Sequence, residues 1–228
     1  MFRYLRVALV ASVLVVTSIG MTAAASSPAA DEHAQHVNQA GSQKTTAAAF
    51  AADMRALWED HIVWTRQYIV SAATLAGDMP DIGPTAARLF ANQTDIGNAI
   101  APFYGDAAGA ALTALLNDHI AIAAEAIAEA KAGDAAGLEA ALDRWYANAD
   151  DIASFLAAAN PANWPFEAMS GHMRGHLDLT LAEAVARLTG DYAADIAAYD
   201  QVHDQILHMA DMLSAGIVNQ FPQRFANR

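Results

Sequence analysis

The stretch "NDHIAIAAEAIAEAKAGDAAGLEAALDRWYANADDIASFL", residues 117–156, decides the fold. At about 100° per residue, His119 shares one face with Leu115, Leu116, Ala123, Ala126 and Ile127. After "AGDAAG" at 132–137 the helical spacing resumes, and Leu138, Leu142, Trp145, Ile152 and Leu156 fall on one side, with Asp151 opposite. Glycine ends helices and aspartate starts them, so this reads as a helix, a Gly-Asp turn and a second helix.

Working outward, alanine, leucine and isoleucine at helical spacing continue from residue 47, with few β-branched runs. The breaks are "GDMPDIGP" at 77–84, "FYGDAAG" at 103–109, "NPANWP" at 160–165 and "TGDY" at 189–192. They predict six helices, about 48–76, 84–102, 107–131, 135–159, 166–189 and 192–219, and an all-α up-down bundle.

Two other segments lie over the first. "EDHIVWTRQYIVSAATLAGD" leads to "ARLFANQTDIGNAIAPF", and "RGHLDLTLAEAVARLTGD" leads to "AAYDQVHDQILHMADML". Counted from the turn aspartates Asp78, Asp134 and Asp191, position +14 holds Asn92, Asn148 and Gln205, and position +17 holds Asp95, Asp151 and His208. Three repeated helical hairpins are therefore expected. His61, His119 and His176 precede the same aspartates by 15–17 residues. At a rise of about 1.5 Å per residue they reach the level of the +17 residues, giving one polar layer across the bundle.

His61 lies on an apolar face with Leu57, Thr65, Tyr68 and Ile69. His176 instead shares a polar seam with His172, Thr180, Glu183 and Arg187. On the last helix Asp200, Asp204, His208 and Asp211 run opposite the apolar face of Val202, Ile206, Met209 and Leu213. The candidate metal ligands are His61, His119, His172, His176, Glu183, Asp204 and His208, with copper, zinc or iron as the ion. His172 and His176, four apart on one face, could share an ion, whereas His203 and His208 stand about 140° apart and could not. Arg66 is expected in a structural ion pair with another helix, and Met209 in the core. The competing reading makes the histidines hydrogen-bonded core residues that fix helix register.

The N-terminus "MFRYLRVALVASVLVVTSIGMTAAASS" has a basic start, an apolar run and a small-residue site near Ala25. This is the layout of an export signal over 1–25, with an uncleaved anchor as the alternative. Residues 26–46 read as a flexible polar leader, and 47–228 as the bundle domain. Cleavage would leave ten Lys+Arg against 25 Asp+Glu, a net charge of −15. Such acidity disfavours nucleic acid and anionic lipid and favours a metal ion or small cationic ligand, with a protein partner left open. No later stretch reads as long and apolar enough to cross a membrane. The chain has no cysteine, so it must hold together by packing.

Walker, G-x-S-x-G, H-E-x-x-H, dinucleotide and Glu-x-x-His signatures are absent. "LWEDHIVWTR" at 57–66, "RWYANADDIASFL" at 144–156 and "DQILHMADML" at 204–213 before "QFP" resemble a family of bacterial exported all-helical proteins without an assigned activity. Relatives sometimes carry transferase or kinase names, but nothing here fits a nucleotide or sugar, and no catalytic residue is carried over. The expected function is extracytoplasmic metal binding. The alternatives are a non-catalytic envelope interaction protein, and a small hydrolase or transferase using a His–Asp pair.

Overall fold

A computed structural model describes residues 45–74 and 77–226. The expected export signal, and all but the last two residues of the expected leader, lie outside the described residues. The domain is all-α, with α1 Ala47–Ala72, α2 Ile82–Tyr104, α3 Asp106–Ala132, α4 Ala135–Ala159, α5 Phe166–Thr189 and α6 Tyr192–Gln220. A 3-10 turn at Pro222–Arg224 follows.

The Gly-Asp pairs act as paired caps. Gly133 (φ 72°) and Gly190 (φ 78°) take the left-handed conformation that ends α3 and α5. Asp134 then accepts from the backbone N–H groups of Ala136 and Gly137, and Asp191 from that of Ala194, starting α4 and α6. The first turn is built differently. Helix α1 stops at Ala72 rather than 76, because Met79 N–H bonds the Ser71 carbonyl at 2.8 Å and Lys131 Nζ bonds the Ala72 carbonyl at 2.8 Å. Asp78 caps no helix; it pairs with Lys131 at 2.5 Å, while Asp81 sits before α2.

Each helix packs on its sequence neighbours, and α6 returns to pack on α1, closing a ring. Helices α1, α3 and α5 alternate with α2, α4 and α6 around it. At the end remote from the Gly-Asp turns, Phe50, Phe103, Tyr104, Phe221 and Phe225 form an aromatic plug. The Ala226 N–H bonds the Thr45 carbonyl at 3.0 Å, tying the last described residues to the start of α1. Ile62, Ile96, Leu177, Val202 and Ile206 fill the middle of the ring, each contributing about 1.5–3 kcal/mol on burial. Met209 is in the core as expected.

One expectation needs correction. Helix α3 is long and apolar enough to cross a membrane by length and composition. Its alanines raise mean hydropathy without bringing long apolar side chains, so the sequence pattern alone masked it. In the fold this helix buries His119 and Leu116 inward while Asp118 and Glu125 face outward.

Helices α2 and α3 approach most closely at two glycines. A Cβ on Gly97 would stand 2.6 Å from the Gly109 carbonyl oxygen and collide with Thr113 Oγ1. Gly97→Ala is therefore expected to destabilise the domain by about 1–3 kcal/mol through overpacking. Gly175→Ala meets nothing within 4 Å and should stabilise by up to about 1 kcal/mol through helix propensity. Denaturant unfolding of both variants checks the pair; equal midpoints would refute the close crossing.

Candidate functional site

The three alternate helices α1, α3 and α5 bring His61, His119 and His176 to the centre of the ring, each 2–3% exposed. The His61 and His176 ring centroids are 5.8 Å apart, and those of His119 and His176 6.2 Å. The expected meeting of these histidines is thus observed, and His176 is as buried as the others. The polar seam of α5 turns inward because its neighbours offer polar partners there.

Those partners are amides from α2, α4 and α6. His61 Nδ1 pairs with Gln93 Oε1 at 3.2 Å, His119 Nδ1 with Asn148 Oδ1 at 2.9 Å, and His176 Nδ1 with Gln205 Oε1 at 3.2 Å. The amide NH2 groups are also committed. Asn148 donates to the Leu115 carbonyl at 3.1 Å and Gln205 to the His172 carbonyl at 3.1 Å. Asn92 donates to the Leu57 carbonyl at 3.0 Å, and Gln93 to the Leu89 carbonyl at 2.9 Å. In all three hairpins the +14 amide therefore grips the carbonyl four residues before the histidine. In the first hairpin the neighbouring Gln93 takes the imidazole.

This arrangement fixes the tautomer. With each NH2 spent on a carbonyl, the amide oxygen faces the ring and accepts from Nδ1–H. Nε2 is then the nitrogen carrying the lone pair. Burial drives all three pKa values down, His119 to about 3 and His176 to about 4, with His61 also well below its ordinary value. Repulsion from the neighbouring imidazoles lowers His61 and His119 further. At neutral pH the centre holds three uncharged imidazoles.

Beside the layer, one turn toward the Gly-Asp ends, Thr65 and Thr180 donate to the His61 and His176 carbonyls at 2.8 and 2.9 Å. Both line a cavity of about 60 Å³ whose other walls are Ile69, Leu89, Ile127, Trp145 and Ala184 among others. Keeping a void of that size costs about 1–2 kcal/mol.

The remaining candidates go elsewhere. Glu183 lies two turns from His176 and joins a buried ion cluster: Arg66 reaches Glu183 Oε1 at 2.9 Å and grips Asp195 with both terminal nitrogens, while Arg187 reaches Asp195 at 3.4 Å. Burial raises the Glu183 carboxyl above its ordinary value, and its Oε2 has no partner. The hydrogen bonds to Asp195 hold the charge on Arg66. Arg66 is thus in the expected ion pair. Asp204 is 90% exposed, with His203 Nδ1 at 3.9 Å. His172 does not join His176; its ring faces that of exposed His208 at 5.7 Å across α5 and α6.

The +17 residues are not in the layer. Asp95, Asp151 and His208 are exposed. Residues three apart on a helix differ by about 60° around the axis and about 4.5 Å along it, which carries +17 out of the centre when +14 points into it. Nor is there a His–carboxylate pair at the centre. The His–carboxylate contacts among the described residues are His203 with Glu59 at 3.4 Å and with Asp204, both at the surface.

Among the described residues no group of three or more His, Asp or Glu is placed to hold a metal ion. No family model, no curated protein and no solved structure matches the chain.

A pH dependence follows from the neutral centre. His119 and His176 have folded values below the unfolded value of 6.5. Between those limits the unfolded chain binds protons that the folded chain does not. Stability is therefore complete above about pH 6.5 and falls as pH drops, by up to about 1.4 kcal/mol per pH unit for each histidine. Urea unfolding from pH 7 to 4.5 is expected to show this slope, and His119→Gln to flatten it. An unchanged slope in the variant would count against neutral burial.

Proposed function

We propose that this domain binds one transition-metal ion through His61, His119 and His176, and that the chain works outside the cytoplasm. One observation carries the reading: three buried neutral imidazoles from three helices, each with Nδ1 held by an amide and Nε2 left as the lone-pair nitrogen. Metal-binding histidines need this outer hydrogen bond, which orients the ring and fixes the tautomer. Imidazole-only coordination suits zinc, copper, iron or nickel rather than magnesium or calcium. For Nε2 ligands near 2.0–2.1 Å on a tetrahedral ion, ring centroids stand roughly 5 Å apart. The observed 5.8 and 6.2 Å ask for inward shifts of roughly 1 Å. Glu183 and Asp204 are set aside as ligands, the first held by Arg66 and the second in solvent.

The acidic charge favours a cation, and the lack of cysteine is compatible with an oxidising compartment. A second reading has its own support. The amide grip on Leu57, Leu115 and His172 carbonyls fixes helix register whether or not a metal is present. The same recurrence supports three repeated hairpins. A His–Asp hydrolase or transferase has less support, because an amide cannot take up the charge that a general base acquires.

Elemental analysis of protein purified without chelators should find about one equivalent of metal, and removal followed by titration should restore it. His61→Ala and His176→Ala should lose the site, and with it the ligand-linked stabilisation of about 2.7 kcal/mol at a hundredfold excess over Kd. Equal, millimolar-weak binding in wild type and both variants would leave only the structural layer.

A further inference from the structure

We infer that the cavity beside the histidine layer is a binding site for a small, neutral, mainly apolar molecule carrying one hydrogen-bond acceptor. The site goes beyond metal binding and does not depend on it.

The cavity lies between α1, α2, α3, α4 and α5 and is walled almost wholly by carbon. Of the three hydroxyl side chains that line it, Thr65 and Thr180 already donate to the His61 and His176 carbonyls, and Tyr68 is the third. Such a space offers water too few partners, since a buried water typically makes about three hydrogen bonds. Apolar voids stay dry and accept apolar guests. A charged guest is excluded, because Glu183 and Arg66 are not among the residues facing the space and are paired with each other.

Trp145 supplies a donor that calls for an acceptor on the guest. It is 3% exposed and lines the cavity, and its Nε1–H has no hydrogen-bond partner. Among the described residues it is the one cavity-lining side chain with a buried polar atom left unsatisfied. A buried donor in that state favours a guest that brings an oxygen. The Trp145 ring also lies 5.3 Å from the His119 ring, so the guest would sit against the imidazole layer. Val185, 49% exposed, is part of the wall and marks where the space meets the surface.

The test uses acetone and propane, three-carbon probes on the scale of the cavity, with the whole chain in chelator so that metal plays no part. The ketone is expected to bind saturably and to move the Trp145 indole N–H resonance, assigned by its loss in Trp145→Phe. Propane should bind at least threefold more weakly, and Trp145→Phe should remove that difference. Ala184→Leu, which fills the space, should abolish binding of both. The proposal is overturned if wild type shows no saturable shift, if Ala184→Leu binds as well as wild type, or if ketone and alkane bind alike with the Trp145 signal unmoved. The wild-type resonance decides the matter even if Ala184→Leu does not fold.

Discussion

The structure depends on a two-ended hydrogen bond made by a side-chain amide. In the second and third hairpins one amide accepts from a histidine Nδ1 and donates to the carbonyl one turn before that histidine. The carbonyl is already in an α-helical ladder, so the amide uses its second lone pair and breaks nothing. The bond ties paired helices at one level and stops either from sliding or rotating. Without it, a ring of alanine-rich helices would have little to choose between neighbouring registers. The Nδ1–H of the imidazole is satisfied by the same group, which lowers the cost of a polar layer inside an apolar ring.

The choice of amide over carboxylate has consequences for charge. A carboxylate would stabilise the protonated ring and draw the histidine pKa upward. Three such pairs would put six charges at the centre of a small domain, each needing its own compensation. Neutral partners let burial win, and the imidazoles keep their Nε2 lone pairs at any ordinary pH. The charges the domain does bury are grouped apart, where Arg66 and Arg187 face Asp195 and Glu183. Segregation keeps a fixed positive group away from the centre.

Much of this was legible in the sequence. Helical spacing and Gly-Asp punctuation gave the all-α fold and two of its five turns outright, since Gly133, Asp134, Gly190 and Asp191 are local caps that need no tertiary help. The meeting of His61, His119 and His176 was readable too, because equal counts from a turn bring residues to one level. The partner set was misread. A count along the axis places +14 and +17 only one turn apart, and direction around the axis decides which enters the layer. Gln93 carried no signal in the alignment at all. Asn92 holds the Leu57 carbonyl as its counterparts do in the other hairpins, and Gln93 beside it takes the imidazole. Glu183 looked like a ligand because it shares the seam of His176, yet the seam is long enough to serve two clusters.

That seam explains why α5 carries so little apolar contrast between its faces. A helix that meets both the imidazole layer and the ion cluster must turn polar residues inward, and His176, Thr180 and Glu183 all do so. Each is matched from another element or from its own backbone: His176 by Gln205, Thr180 by the His176 carbonyl, Glu183 by Arg66. The helix could not hold this face inward alone, because amphipathic burial would turn it over. Its orientation is imposed by α1 and α6, which bring Arg66 and Gln205 to meet it. The ring must therefore close, α6 against α1, before Arg66 can meet Glu183, although Gln205 of the same hairpin already answers His176. Assembly of the centre is a property of the closed ring rather than of any one hairpin.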